Sequence, residues 1–138
     1  RGGSQVDDDV LGRLEWTRKQ WRGQVTIDGT DVRLALPGSK HEPDPTAVRL
    51  ARSAAEQWAA CAAEIRRELT EHRDTLADEP ATSTRPVDLG PDYVAVVDLD
   101  RRPVLEFGFA VPWDDDHTLG ARVVDSALVE LSGSVLEP

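Results

Sequence analysis

The sequence predicts an α+β domain with a mainly antiparallel sheet, built as three strands, one long helix and then four strands, with the helix packed on one face. Three observations carry this. Apolar residues alternate with polar ones over residues 21–36. An alanine-rich stretch after Asp44 repeats its apolar residues every three or four positions. Alternating runs then return between Tyr93 and Leu131. Strands in a run, a helix, and strands in a run make an α+β pattern. Such a sheet is largely antiparallel, with one face under the helix.

The elements follow in order. Val10–Trp16 alternates loosely and reads as a first strand. Trp21, Gly23, Val25 and Ile27 share one face of a second strand, and Val32, Leu34 and Leu36 one face of a third. Asp28-Gly29 between them is a two-residue hairpin turn, whose central residues both need positive φ. Pro37-Gly38 ends the hairpin. Asp44 followed by Pro45 reads as an N-cap with proline in the first helical turn. Ala47, Ala51, Ala54, Trp58, Ala62, Ile65 and Leu69 then form one helix face, mostly a narrow alanine seam. A continuous helix to Ala77 would outrun a domain of this size, so a break is expected after about His72. Residues 78–91, with three prolines and a glycine, read as a loop. Tyr93–Leu99, Val104–Val111, Ala121–Val124 and Leu128–Leu131 are the last four strands.

A length of 138 residues suits one domain. Residues 1–9 read as a linker or disordered lead-in and 10–138 as the domain. The chain starts with Arg and contains no Met, so an accessory domain of a larger protein is one expectation. The single Cys61 and the lack of a secretory leader point to the cytoplasm. No apolar run approaches the roughly 20 residues that span a bilayer. No cofactor is implied.

The net charge is −10 and unevenly placed. Residues 1–86 hold 15 acidic and 13 basic side chains, whereas residues 87–138 hold 11 acidic and 3 basic. This disfavours nucleic acid and anionic membranes as partners. It suits a basic protein partner, a cation or plain solubility.

One tract could carry chemistry: Trp113-Asp114-Asp115-Asp116-His117-Thr118-Leu119-Gly120. Asp114, Asp116 and His117 could hold a divalent metal and serve a metal-dependent hydrolase. Their spacing lacks the alternation and closing Glu of a calcium loop, and no second His or Cys pair completes a zinc site. His41 and His72 lie on other elements. No Gly-flanked nucleophile, phosphate loop or second acid–base pair accompanies His117, which argues against an enzyme. The structural alternative is a turn. In it Trp113 anchors the loop, an Asp bonds backbone amides, His117 bonds a carboxylate or carbonyl, and Gly120 supplies a special backbone angle.

The stretch from Phe107 through Trp113-Asp114-x-Asp116-His117-x-x-Gly120 to Gly133 resembles the C-terminal signature of small bacterial domains of unknown function. Those share a Trp-Asp-x-Glu-His-x-x-Gly core, and Asp116 stands here for the Glu. Leu11-Gly-x-Leu and Trp21-x-Gly-x-Val resemble their opening hairpin. The resemblance spans residues 10–134 and implies no activity. Some small acidic domains of this style sit near bacterial toxin genes, which implies an immunity role. The function expected from the sequence is thus a non-enzymatic acidic module that binds a basic protein, such as an immunity protein neutralising a basic toxin. Its expected contact residues are Asp98, Asp100, Asp114, Asp115, Asp116 and His117.

Overall fold

The computed structural model describes residues 4–76 and 85–138. Four strands come first: β1 (Gln5–Asp8), β2 (Gly12–Thr17), β3 (Gln20–Ile27) and β4 (Thr30–Leu36). Two helices follow, α1 (Pro45–Arg52) and α2 (Ala54–Leu76). Four more strands complete the chain: β5 (Tyr93–Leu99), β6 (Arg102–Ala110), β7 (Thr118–Val124) and β8 (Ala127–Val135). All eight lie in one sheet in chain order. Neighbours are antiparallel except β4 and β5, which are parallel and joined by the helical crossover. The expected three strands, one helix and four strands are therefore corrected to a mixed eight-stranded sheet with two helices.

Each correction has a local cause. Gln5–Asp8, expected as a charged lead-in, pairs with β2 from Gln5 opposite Glu15 to Asp8 opposite Gly12. Its acidity hid it, yet Asp8 is where the acidity is used. The Asp8 carboxylate accepts from the Val10 and Leu11 amides, both at 2.9 Å, and closes the β1–β2 turn. It also receives the Arg52 guanidinium, with Nε at 3.0 Å from Oδ1. The edge strand is thereby tied to the end of α1.

The helix breaks earlier than expected, and it runs on past His72 to Leu76. At Ser53 the backbone sits at φ −91° and ψ 1°. The Ser53 hydroxyl donates to the Leu50 carbonyl at 2.7 Å, and its amide bonds the same carbonyl at 3.0 Å. A serine side chain competing for a helix carbonyl tightens the turn and redirects the axis. The apolar face passes through the break intact. Ala47, Ala51, Ala54, Trp58, Cys61, Ile65 and Leu69 are all buried. The N-cap is as read, with the Asp44 carboxylate accepting from the Ala47 amide at 3.2 Å.

Trp58 centres the core. Its ring meets Phe107 at 5.3 Å and Phe109 at 6.1 Å between centroids. Its indole N–H donates to Asp28 at 2.9 Å, and Arg66 lies over the ring at 5.3 Å. Cys61 is buried nearby, and burial pushes its thiol up to about 11. Residues 85–91, the described part of the expected 78–91 loop, form neither helix nor strand. Residues 1–3 of the expected linker lie outside the described residues. No described helix is long and apolar enough to cross a membrane.

The other sheet face carries a second, smaller buried cluster of Ala35, Tyr93 and Ala95. Tyr93 lies flat over Gly108, its partner on β6. A Cβ at Gly108 would sit 1.9 Å from the Tyr93 ring. The Tyr93 hydroxyl donates to Glu106 at 2.6 Å. Arg122 donates to the other Glu106 oxygen at 2.6 Å and to Glu130 at 2.8 Å. Glu106, Arg122 and Glu130 are successive cross-strand partners on β6, β7 and β8. Glu106 is only 2% exposed and Glu130 is exposed, so this row is a bonded polar ladder across three strands that runs from a buried carboxylate out to solvent.

Candidate interaction surface

The Trp113–Gly120 tract spans the β6–β7 connection and opens β7. Its anchor is Trp113, half-buried and packed against the main core. The Trp113 indole N–H donates to His72 Nδ1 at 2.9 Å, which fixes the loop to the last turns of α2. Folding thus brings one of the two distant histidines to the tract. To accept that bond, the His72 ring carries no proton on Nδ1.

Asp114 organises the turn. Its Oδ1 accepts from the Asp116 amide at 3.1 Å, an Asx-turn. His117 Nδ1 lies 2.8 Å from Asp114 Oδ2. Burial works to raise the Asp114 carboxyl, but the His117 bond and the Asp116 amide hold it below its ordinary value. These are the roles a structural turn requires. Gly120 differs from the expectation, because its φ is not positive. It is needed for space, since a Cβ there would lie 2.9 Å from both Glu106 Cδ and Val135 Cγ1.

The six expected contact residues do not form one surface. Asp98 and Asp100 lie at the closed end of the β5–β6 hairpin. Asp114, Asp115, Asp116 and His117 follow the open end of the same hairpin. Nine-residue β6 separates the two groups by about 25–30 Å along the strand. Within the second group Asp114 is taken by His117, so its charge is partly committed. Asp98, Asp100, Asp115 and Asp116 are exposed, and their side chains have no hydrogen-bond or ion-pair partner among the described residues. Asp125, in the β7–β8 turn, is exposed and unpaired in the same way.

The remaining arginines show where negative charge is already answered. Arg52 meets Asp8, Arg66 meets Asp88, Arg122 meets Glu106 and Glu130, and Arg33 meets Glu137. Within residues 87–138, the exposed carboxylates left without a side-chain partner lie on two rims, at opposite ends of the strands.

No group of three His, Cys, Asp or Glu side chains among the described residues is placed to hold a metal. Asp114, Asp116 and His117 do not converge as ligands, so the metal-dependent hydrolase reading receives no geometric support. An open groove of about 760 Å³ runs between α2 and residues 85–88, lined by Arg66, Arg67, Thr70 and Val87 among others. Arg66 is engaged there by Asp88 and by the Leu89 carbonyl, and Thr70 by the Val87 amide.

The residues that sequence reasoning missed are Tyr93, Glu106 and Arg122. A signal existed, since Glu106 sits between Leu105 and Phe107, and Arg122 between Ala121 and Val123. A lone charge in each of two adjacent apolar strands is a candidate cross-strand pair. No protein-family model matches this chain, and no curated protein or solved structure matches it either.

Proposed function

We propose that this chain is an acidic protein-binding module whose partner is basic. The observation that carries the reading is the set of exposed, partnerless carboxylates Asp98, Asp100, Asp115, Asp116 and Asp125 on the two rims of the C-terminal half. The net charge of −10 gives those rims a long-range field. Such a field speeds encounter with a cationic surface and makes association salt-sensitive. A cationic toxin such as a nuclease is one concrete partner of this chemistry, and the chain is then its immunity protein. Two separated rims, in place of the single acidic patch, suit a partner that grips the domain across the C-terminal half.

The test is affinity capture with the immobilised chain at low and high salt. A basic protein retained at low salt and released as salt screens the rims supports the proposal. Failure to retain any basic protein at either salt, or capture that salt leaves unchanged, contradicts it.

A further inference from the structure

The two edges of the sheet are not alike. β1 is four residues long, two of them Asp, and Arg52 clamps its last residue. A short, charged, tethered strand is a protected edge. β8 is the opposite edge and spans nine residues, Ala127–Val135. It contains no Pro or Lys, and its one charge, Glu130, is occupied by Arg122. No backbone bond beyond its pairing with β7 involves β8 among the described residues. About half of its N–H and C=O groups therefore point away from β7 and make no backbone hydrogen bond, while α2 packs against the strand and the Ser134 carbonyl accepts from the Ser132 hydroxyl at 3.5 Å.

The pairing of β7 with β8 restricts what can dock there. Arg122 pairs with Glu130 but Val123 with Leu128, which makes Val129 an extra residue in β8. Thr118 pairs with Val135 but Gly120 with Ser132, which adds another at Gly133–Ser134. Bulges twist an edge and interrupt long, flat pairing. Between them Glu130, Leu131 and Ser132 remain in regular register. Val129, at the first bulge, is 52% exposed. This geometry admits a short extended segment and resists a second full-length β8. Repulsion between two chains of net charge −10 opposes a second copy as well.

Charge selects the segment. Asp125 lies in the turn just before β8, and Asp115 and Asp116 precede Thr118, the partner of its last residue. The unbonded edge is thus bracketed by free carboxylates at both ends. We infer that the β8 edge is the docking strand, and that it takes a short extended segment of the partner with Lys or Arg flanking a β-prone centre. Backbone pairing over Glu130–Ser132 supplies the grip, and the two acidic ends choose the sequence. This inference rests on the basic-partner reading and assigns it a place.

The experiment uses the full chain and two capped peptides with the same β-prone centre, one ended by Lys and one by Glu. Amide exchange across β8 is read by NMR. The Lys-ended peptide is expected to slow exchange at β8, centred on Glu130–Ser132, and the Glu-ended peptide to leave it unchanged. Asn at Asp115, Asp116 and Asp125 should weaken the Lys-ended peptide about tenfold with the fold intact. Val129→Lys, which adds a cation at an exposed site, should abolish protection. Unchanged β8 exchange at a saturating Lys-ended peptide overturns the inference. So does equal protection by both peptides, or protection in the free chain that grows with its concentration, which would mean a second copy occupies the edge. If affinity capture retains a basic protein but β8 stays unprotected, strand addition fails while the basic-partner reading stands. If β8 is protected by both peptides and capture retains nothing basic, that reading fails as well.

Discussion

Glu106 is the residue on which the open sheet face depends. It is a buried carboxylate held by a phenol and a guanidinium, both at 2.6 Å. Removing one member of a buried ionic network leaves the others desolvated and unpaired. Glu106→Ala is expected to cost about 3 kcal/mol, and Tyr93→Phe about 1.5 kcal/mol, in denaturant unfolding. A loss below about 0.5 kcal/mol for Glu106→Ala would show that the ladder is dispensable. Burial raises the Tyr93 phenol well above its ordinary value, and the bond to Glu106 adds to this.

Asp8 gives a pH signature at the same scale. The Arg52 hydrogen bond is the largest cause holding its carboxyl at about 2, against an ordinary 3.8. The folded state therefore prefers the ionised form. The stabilisation is complete above about pH 5 and is lost as pH falls through 3.8 towards 2. Because Arg52 is half exposed, solvent screening reduces the pair to about 1 kcal/mol. Asp8→Asn should cost about that much at neutral pH, with the gap to the native chain closing near pH 2. A gap that stays constant down to that pH would contradict the assignment.

Among the elements, four two-residue turns join strands with both central residues at positive φ: Arg18-Lys19, Asp28-Gly29, Asp100-Arg101 and Asp125-Ser126. The sequence marks Asp100–Pro103 and Asp125–Ala127 as turns too, but only Asp28-Gly29 betrays the positive φ, because only it has the glycine this turn favours. Arg101 and Ser126 hold φ of 69° and 65° with a side chain present. Arg101→Gly and Ser126→Gly should each raise stability by about 0.5–1 kcal/mol, measured as a shift in the unfolding midpoint. No shift, or a loss, would mean that those side chains do more than turn. The other misreadings have similar causes. β1 was obscured by acidic residues that a strand does not usually carry. The Ser53 break was invisible because Ala51, Ala54 and Trp58 keep the helical period straight through it. Asp44-Pro45 was legible because a cap is local chemistry.

At the scale of the whole molecule, the turn around Asp114 could be read from its residue types, but its relation to Asp98 and Asp100 was misjudged. A hairpin's closed and open ends lie a strand apart, so the proposed strands already implied two groups of acids. What the sequence could not show was the parallel join of β4 to β5. That join makes one sheet of the two meanders and leaves β8 at its edge, with the acids disposed about it. The most direct measurement is capture of a basic partner at low salt by the native chain and by a chain with Asp115 and Asp116 changed to Asn. The account predicts at least about tenfold weaker retention by the variant, with the difference vanishing at high salt. Equal retention of the two chains at low salt would contradict it.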